Sequence, residues 1–321
     1  TYKDLGGEQY AKLKWVPTPF IDEDTVSKAL ATAGNCACKL DKIACKMLMK
    51  SLYGSRVCRW DLLRPIAALA SNITCWSPVD DKKLHRLMCY INSTLEYRLV
   101  SWAGDTSQDV WLRQYTDADF AGCKKTGRST SGGFLKVSGP NTSFATDAYS
   151  RKQGSTATST PDAETIAAFH CMKNCGLPAL DLFDAMLGRK VYLEVMEDNQ
   201  AAVSILKSGR SPALRHTDRI QRVDLSFLYD ACQLPEVSVT YINSEKESAD
   251  IFTKPFTDEL KWTHAAEMIS HVPRSSLFGS NKRASVSVPA APAVLFRISP
   301  AHAGTRTLLP HRRTFPHLHR Q

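Results

Sequence analysis

The chain lacks any apolar run of about 18 residues, which removes an ordinary membrane-spanning helix from consideration. It carries no recognisable secretory leader, so a reduced, intracellular setting is expected, with cytoplasm and nucleus undistinguished. Its ten cysteines include no C-x₂-C pair. The closest groupings are Cys36-Ala37-Cys38 and Cys171 with Cys175, and no matching histidine pair follows, which argues against a zinc site. The cysteines read as free, partly buried thiols. Acids are missing altogether from Pro273 to Gln321, where eight basic residues stand (Arg274, Lys282, Arg283, Arg297, Arg306, Arg312, Arg313 and Arg320). Without them 33 basic residues face 32 acids, so all but one unit of the net charge of +9 belongs to the tail. A nucleic-acid reading of the body therefore cannot rest on global charge. The first residue is Thr1, in a segment without a helix-start signal, and the chain reads as a fragment of something longer.

What is present is ordinary in amount and ordered in pattern. At 321 residues, 43% hydrophobic and 23% charged, the chain has room for two modest domains. Residues 1–20 are irregular. Residues 21–104 read as a small helical module, with apolar stripes at Ile43-Met47-Leu48-Leu52, Leu62-Ile66-Leu69-Ile73 and Leu84-Leu87-Met88-Ile91, and the helical pattern continues to about Leu99. Gly54, Pro65 and Pro78 punctuate it.

After Gly104 the grammar changes. Strands are expected at 110–117, 131–138 and 142–150, with Gly139-Pro140-Asn141 as a turn. A helix follows with Thr160 as N-cap and Pro161 in its first turn, running to about Leu187 with a break near Gly176. A strand at 191–196, helices at 199–208 and about 217–232, a strand at 237–242 and a last helix from about Lys246 complete the order. The class is α/β with a mixed five-stranded sheet flanked by helices, spanning 105–258. Residues 259–272 form a short helical extension, and 273–321 a basic Pro-, Ser- and Arg-rich tail expected to be disordered.

Four carboxylates, Asp117, Glu164, Asp198 and Asp250, fall at the ends of these segments. Converging acids repel one another and have few uses besides holding hard divalent cations. Each also has a bland reading. Asp198 suits a helix cap, Glu164 and Asp250 suit first turns, and only Asp117, in an apolar strand, demands a partner. Basic and hydroxyl groups at Arg128, Ser129, Thr130 and Lys152 suit phosphate, and the side-chain amides of Asn199 and Gln200 suit hydrogen bonds to a substrate.

The acids sit in short strings: Tyr115-Thr116-Asp117-Ala118-Asp119-Phe120-Ala121-Gly122, Ser159-Thr160-Pro161-Asp162-Ala163-Glu164, Asp198-Asn199-Gln200-Ala201-Ala202 and Ala249-Asp250-Ile251-Phe252-Thr253-Lys254-Pro255. With Arg128-Ser129-Thr130-Ser131-Gly132-Gly133 and Ser150-Arg151-Lys152-Gln153, residues 109–256 resemble the ribonuclease H domain of copia-type retrotransposon Pol polyproteins. The helical module resembles, more weakly, that family's linker between polymerase and nuclease, through Leu52-Tyr53-Gly54-Ser55 and Arg64-Pro65-Ile66-Ala67. The resemblance implies a ribonuclease H-like fold whose first strand carries Asp117 at its centre. It also implies Asp117, Glu164, Asp198 and Asp250 as metal ligands for two Mg²⁺ ions, with Mn²⁺ as substitute. Two such ions would bridge the scissile phosphate, one activating water and the other stabilising the leaving oxygen. The implied substrate is the RNA strand of an RNA–DNA hybrid during reverse transcription, and the implied partner the rest of a reverse transcriptase polyprotein. Val79-Asp80-Asp81 follows Pro78 where a polymerase hairpin would have an aromatic, so Asp80 reads as part of a helix cap and no polymerase site is expected. Glu197 departs from the family, which more often has a neutral residue before the third acid. The rival reading is a catalytically decayed remnant acting at most as a nucleic-acid-binding module.

Overall fold

Helices come first because the apolar stripes demand a shared interior. In the computed structural model, which describes residues 2–32, 37–211 and 223–277, α1 (Tyr2–Leu5), α2 (Glu8–Ala11) and α3 (Glu23–Thr32) precede α4 (Asp41–Val57), α5 (Leu63–Ala70) and α6 (Pro78–Ser93). Met47 and Leu48 of α4, Ile66 and Leu69 of α5, and Leu84 and Leu87 of α6 are all buried in one core. A capping box starts α6: the Ser77 hydroxyl accepts from the Asp80 amide, and the Asp80 carboxylate accepts from the Ser77 amide at 2.9 Å. Asp81 accepts from the Lys39 and Leu40 amides and from Trp76 Nε1. Both acids of that motif are thus spent on local structure.

The helical pattern stops at Ser93, short of the expected Leu99. Residues Tyr97–Leu99 form strand β1 and Trp102–Ala103 strand β2. Next comes an antiparallel meander of β3 (Trp111–Asp119), β4 (Thr130–Gly139) and β5 (Thr142–Lys152). Then α7 (Thr160–Cys171) passes through a wider turn at Met172–Gly176 into α8 (Leu177–Leu187), which ends at Gly188 with φ 64°. The cap of α7 is Ser159, whose side chain accepts from the Asp162 amide; Thr160 is the first helical residue. After β6 (Leu193–Glu197) come α9 (Gln200–Ser208), α10 (Leu225–Cys232) and β7 (Val237–Tyr241). The remaining elements are α11 (Glu259–Met268), β8 (His271–Pro273) and α12 (Arg274–Leu277).

Two further expectations need correction. No helix starts at Lys246: Ser244–Lys246 and Ser248–Phe252 are short 3₁₀ turns, and α11 begins only after Pro255, where Asp258 caps it. The segment after Met268 also returns to strand, because β8 pairs antiparallel with β1. The start of the helix expected at about 217–232 and the tail beyond Leu277 lie outside the described residues.

The main sheet has the order β2-β5-β4-β3-β6-β7, with β3–β6 and β6–β7 parallel. It holds six strands instead of five, because β2 adds a two-residue edge strand against Thr142 and Ser143. The arrangement is otherwise the mixed α/β sheet flanked by helices expected from the sequence. Alternation along β3 sorts its residues between two cores. Leu112 joins Ile166, Met172, Leu180, Leu193 and Val195 beneath α7 and α8. Tyr115 joins Phe134, Met196, Ile251 and Phe252 on the other face, where Trp60, Ile66 and Trp262 cover them. The helical segments and α11 thus shield the second face of the sheet.

Beneath that cover lies a buried polar network. Arg59 donates to both oxygens of Asp61 (3.0 and 2.9 Å), Tyr90 Oη donates to Asp61 Oδ2 at 3.0 Å, and Trp262 Nε1 donates to Tyr90 Oη at 3.1 Å. His271 Nε2 lies 3.4 Å from Asp61 Oδ1. Burial pushes the Asp61 carboxyl up, but the charges of His271 and Arg59 and the donated hydrogen bonds outweigh it and hold it below the usual range. Residues from before the sheet and from after it meet on one carboxylate.

Candidate metal centre

The acid cluster follows from where three elements end. Asp117 lies near the C-terminal end of central strand β3, 2% exposed. Parallel β6 runs beside it, with Glu197 opposite Thr116, so that Asp198 leaves the sheet next to Asp117. Asp198 does not cap α9. Asn199 does, its side-chain oxygen accepting from the Ala201 and Ala202 amides at 3.0 and 3.1 Å. Glu164, one turn into α7, is 3% exposed, and its Oε2 has no hydrogen-bond partner. One carboxylate oxygen from each of Asp117, Glu164 and Asp198 lies within 4.8 Å of the other two.

Asp250 stands apart from this trio. It sits in the 3₁₀ turn that follows Glu247, and its Oδ1 accepts from Lys254 Nζ at 2.5 Å. The same ammonium lies 3.4 Å from Asp117 Oδ1. The Thr253 hydroxyl donates to Asp117 Oδ2. Fully buried Ile251 and Phe252 fix the turn in the core, Phe252 stacking on Phe134.

Electrostatics reflect the crowding. Burial, then the charges of Asp117, Glu197 and Asp198, push the Glu164 carboxyl up to about 11. Burial and Asp117 push Asp250 up to about 7 against the opposing pull of Lys254. Burial also raises Asp117, although Lys254 and the Thr253 hydrogen bond oppose it. Two more carboxyls lie behind the cluster and are raised chiefly by burial. Glu197 Oε2 accepts from the Thr116 hydroxyl at 2.9 Å, and Glu247 Oε1 accepts from the Ala249 amide at 2.8 Å. So much negative charge with an unpartnered buried oxygen suits a divalent cation, and the all-oxygen donor set suits Mg²⁺ or Mn²⁺.

The residues expected to touch substrate separate into groups. Asn199 and Gln200 border the open cleft of about 520 Å³ that holds the acids, with Asn199 also serving as cap. Arg128 is exposed on the loop before β4. Ser129 is fully buried, and its hydroxyl accepts from the Ala121 amide at 3.1 Å; Thr130 is buried in β4. Lys152 lines a second cleft, of about 330 Å³, where its ammonium donates to Cys123 Sγ at 2.8 Å. Burial would raise that thiol, but hydrogen bonds from Lys152 and Thr126 bring it down to about 7. Sequence reading did not single out Thr253, Lys254 or Glu247. The one signal for Lys254 was its i,i+4 spacing from Asp250.

No family model matches the chain. Among solved structures it is similar to LC11-RNase H1, isolated from compost by a metagenomic approach, at 17% identity and TM-score 0.30, covering 44% of this chain and 92% of that one. LC11-RNase H1 in complex with an RNA/DNA hybrid aligns at 17% identity and TM-score 0.31, covering 44% and 93%. The N-terminal RNase H domain of rv2228c from Mycobacterium tuberculosis aligns at 16% identity and TM-score 0.30, covering 49% and 97%. The reading of the site rests on the chain's own residues.

Proposed function

We propose that the chain is a metal-dependent endonuclease of ribonuclease H type, hydrolysing the RNA strand of RNA–DNA hybrids, and that it derives from a copia-type retrotransposon Pol polyprotein. In this reading residues 105–258 are the nuclease and residues 21–104 the end of the reverse transcriptase linker, and the rest of that polyprotein is the natural partner. The observation that carries the proposal is the convergence of Asp117, Glu164 and Asp198 around an unpartnered buried oxygen. Asp250 is the fourth ligand of the proposal. Bound Mg²⁺, or Mn²⁺ in its place, would supply Lewis-acid stabilisation of a phosphoryl oxygen and a nucleophilic water at neutral pH.

The chain's own residues do the rest. Asp117 and Asp198 are held by the ends of adjacent parallel strands, so their separation is set by backbone and not by side-chain freedom. Asn199 and Gln200, on the cleft wall, are the candidates for the minor-groove edge of a hybrid, where 2′-hydroxyls mark the RNA. Arg128 and Lys152 are the candidates for backbone phosphates. Among the described residues no helix is long and apolar enough to cross a membrane.

Cleavage of an end-labelled hybrid with Mg²⁺, comparing the full chain with Asp117→Asn, tests the proposal. Wild type cleaves the RNA strand only, and the variant loses at least about 10²-fold. Equal cleavage by both, or none by a folded wild type, sinks the nuclease assignment, and the second outcome favours the decayed remnant.

A further inference from the structure

Helix α8 is more apolar than its place at the surface requires. Nine of its eleven residues are apolar and the other two are Asp181 and Asp184, yet only Ala179 and Leu180 are buried. A helix that is apolar nearly all round belongs in an interior. Leu177, Phe183 and Leu187 pack partly against the core beneath it. Leu182 and Met186, four residues apart on the outer side, are 56 and 64% exposed, and Ala185 beside them is exposed as well.

Helix α4 presents a face of opposite charge. Met49, Tyr53 and Val57 recur at i, i+4 and i+8 and are 44 to 79% exposed. Cations run alongside them: Lys42, Lys46, Lys50 and Arg56 are exposed, and none of the four forms an ion pair among the described residues. The helix has one acid, Asp41 in its first turn. Two such cationic faces repel each other, so α4 does not suit α4 of another molecule. The outer side of α8 suits it twice over, because an apolar stripe meets an apolar stripe and α8 carries acids and no cation.

We propose that α4 of one molecule packs on α8 of a second copy of this chain. Met47 and Leu48 turn the inner side of α4 toward the core on one face of the sheet, and Ala179 and Leu180 turn that of α8 toward the core on the other. The two outer sides therefore look away from opposite faces of the sheet. Two molecules joined by one contact keep one α4 face and one α8 face uncovered, so the contact repeats from copy to copy without closing into a dimer. Each contact is a single pair of helices, which makes the association weak and dependent on concentration.

Sedimentation velocity of the full chain, over a concentration series reaching about 100 μM, tests this. The weight-average mass of wild type is expected to rise more than about twofold above that of the monomer. Tyr53→Asp sets an acid against the acidic helix, and Met186→Lys sets a cation against the cationic one. Both positions are exposed on helices, so each variant keeps its fold, which circular dichroism verifies; Tyr53→Ser and Met186→Gln replace any that does not. Each variant alone is expected to stay monomeric. An equimolar mixture of the two is expected to stop at the dimer, since each supplies the face that the other has lost. Monomeric wild type throughout the series overturns the proposal, and so does a mixture that remains monomeric. Association that survives Tyr53→Asp and is abolished by Met186→Lys also overturns it, being the pattern of α8 pairing with itself.

Discussion

Gly132 of β4 lies directly opposite Asp117 of β3, and a Cβ placed on it would stand 2.6 Å from Thr253 Cγ2 and 2.9 Å from Phe252 Cβ. The missing side chain lets the Asp250–Lys254 segment lie against the sheet, where Thr253 reaches Asp117. Gly132→Ala is therefore expected to push that segment outward, costing about 1–3 kcal/mol by overpacking. Melting temperature and Mn²⁺ affinity should fall together. Unchanged Mn²⁺ affinity would show that the segment's seating does not matter to the cluster.

The raised carboxyls set a pH dependence for the metal-free protein. Glu164 is pushed up to about 11 and Asp250 to about 7, from ordinary values of 4.5 and 3.8. A carboxyl raised in the fold contributes stability that is complete below its ordinary value and is lost as pH rises through its folded value. In EDTA the melting temperature should thus decline from about pH 5, through Asp250 and Glu164 together up to about pH 7 and through Glu164 alone beyond it. Mg²⁺ favours the charged forms and should flatten that decline. Glu164→Gln, which mimics the protonated acid, should flatten it as well; a slope as steep as wild type would contradict the assignment.

Asp61 holds the segment before the sheet to the segment after it. Removing a fully buried carboxylate leaves Arg59 without its counter-charge, and Asp61→Ala is expected to cost about 3–5 kcal/mol. Chemical denaturation would measure it. A loss under about 1 kcal/mol would mean that the network contributes little.

Ser129 and Lys152 were grouped by sequence as phosphate contacts, and their surroundings now separate them. Ser129→Ala leaves the Ala121 amide unpaired and should cost about 1–3 kcal/mol of stability with little change in the salt dependence of hybrid binding. Lys152→Ala should do the reverse, reducing the log–log salt slope by about 1. Fluorescence anisotropy across a salt series distinguishes the two, and an identical slope for wild type and Lys152→Ala would remove Lys152 from the interface.

Much of the sheet was legible because β3 alternates and because Gly139-Pro140-Asn141 marks the turn between β4 and β5. Asp198 was legible as the residue after an apolar strand, but its freedom from capping was not, since Asp198 and Asn199 have equal propensity for the cap. The same ambiguity placed the α7 cap at Thr160 when adjacent Ser159 holds it. Strands β1 and β8, three residues each, are too short to show a period, and they exist because they pair with one another. The Thr253–Asp117 contact joins residues 136 apart in the chain, and nothing local to either predicts it.

The cover over Tyr115, Phe134, Met196 and Phe252 comes from Trp60, Ile66 and Trp262, residues on both sides of segment 105–258 in sequence. Cutting out residues 105–258 would strip that roof and set an oily sheet face against water. The segment can be named as a unit, yet it cannot be lifted out as one. Any transplant of the acid cluster to another protein has to carry its flanks along, and the smallest transferable piece is nearly all of the described residues.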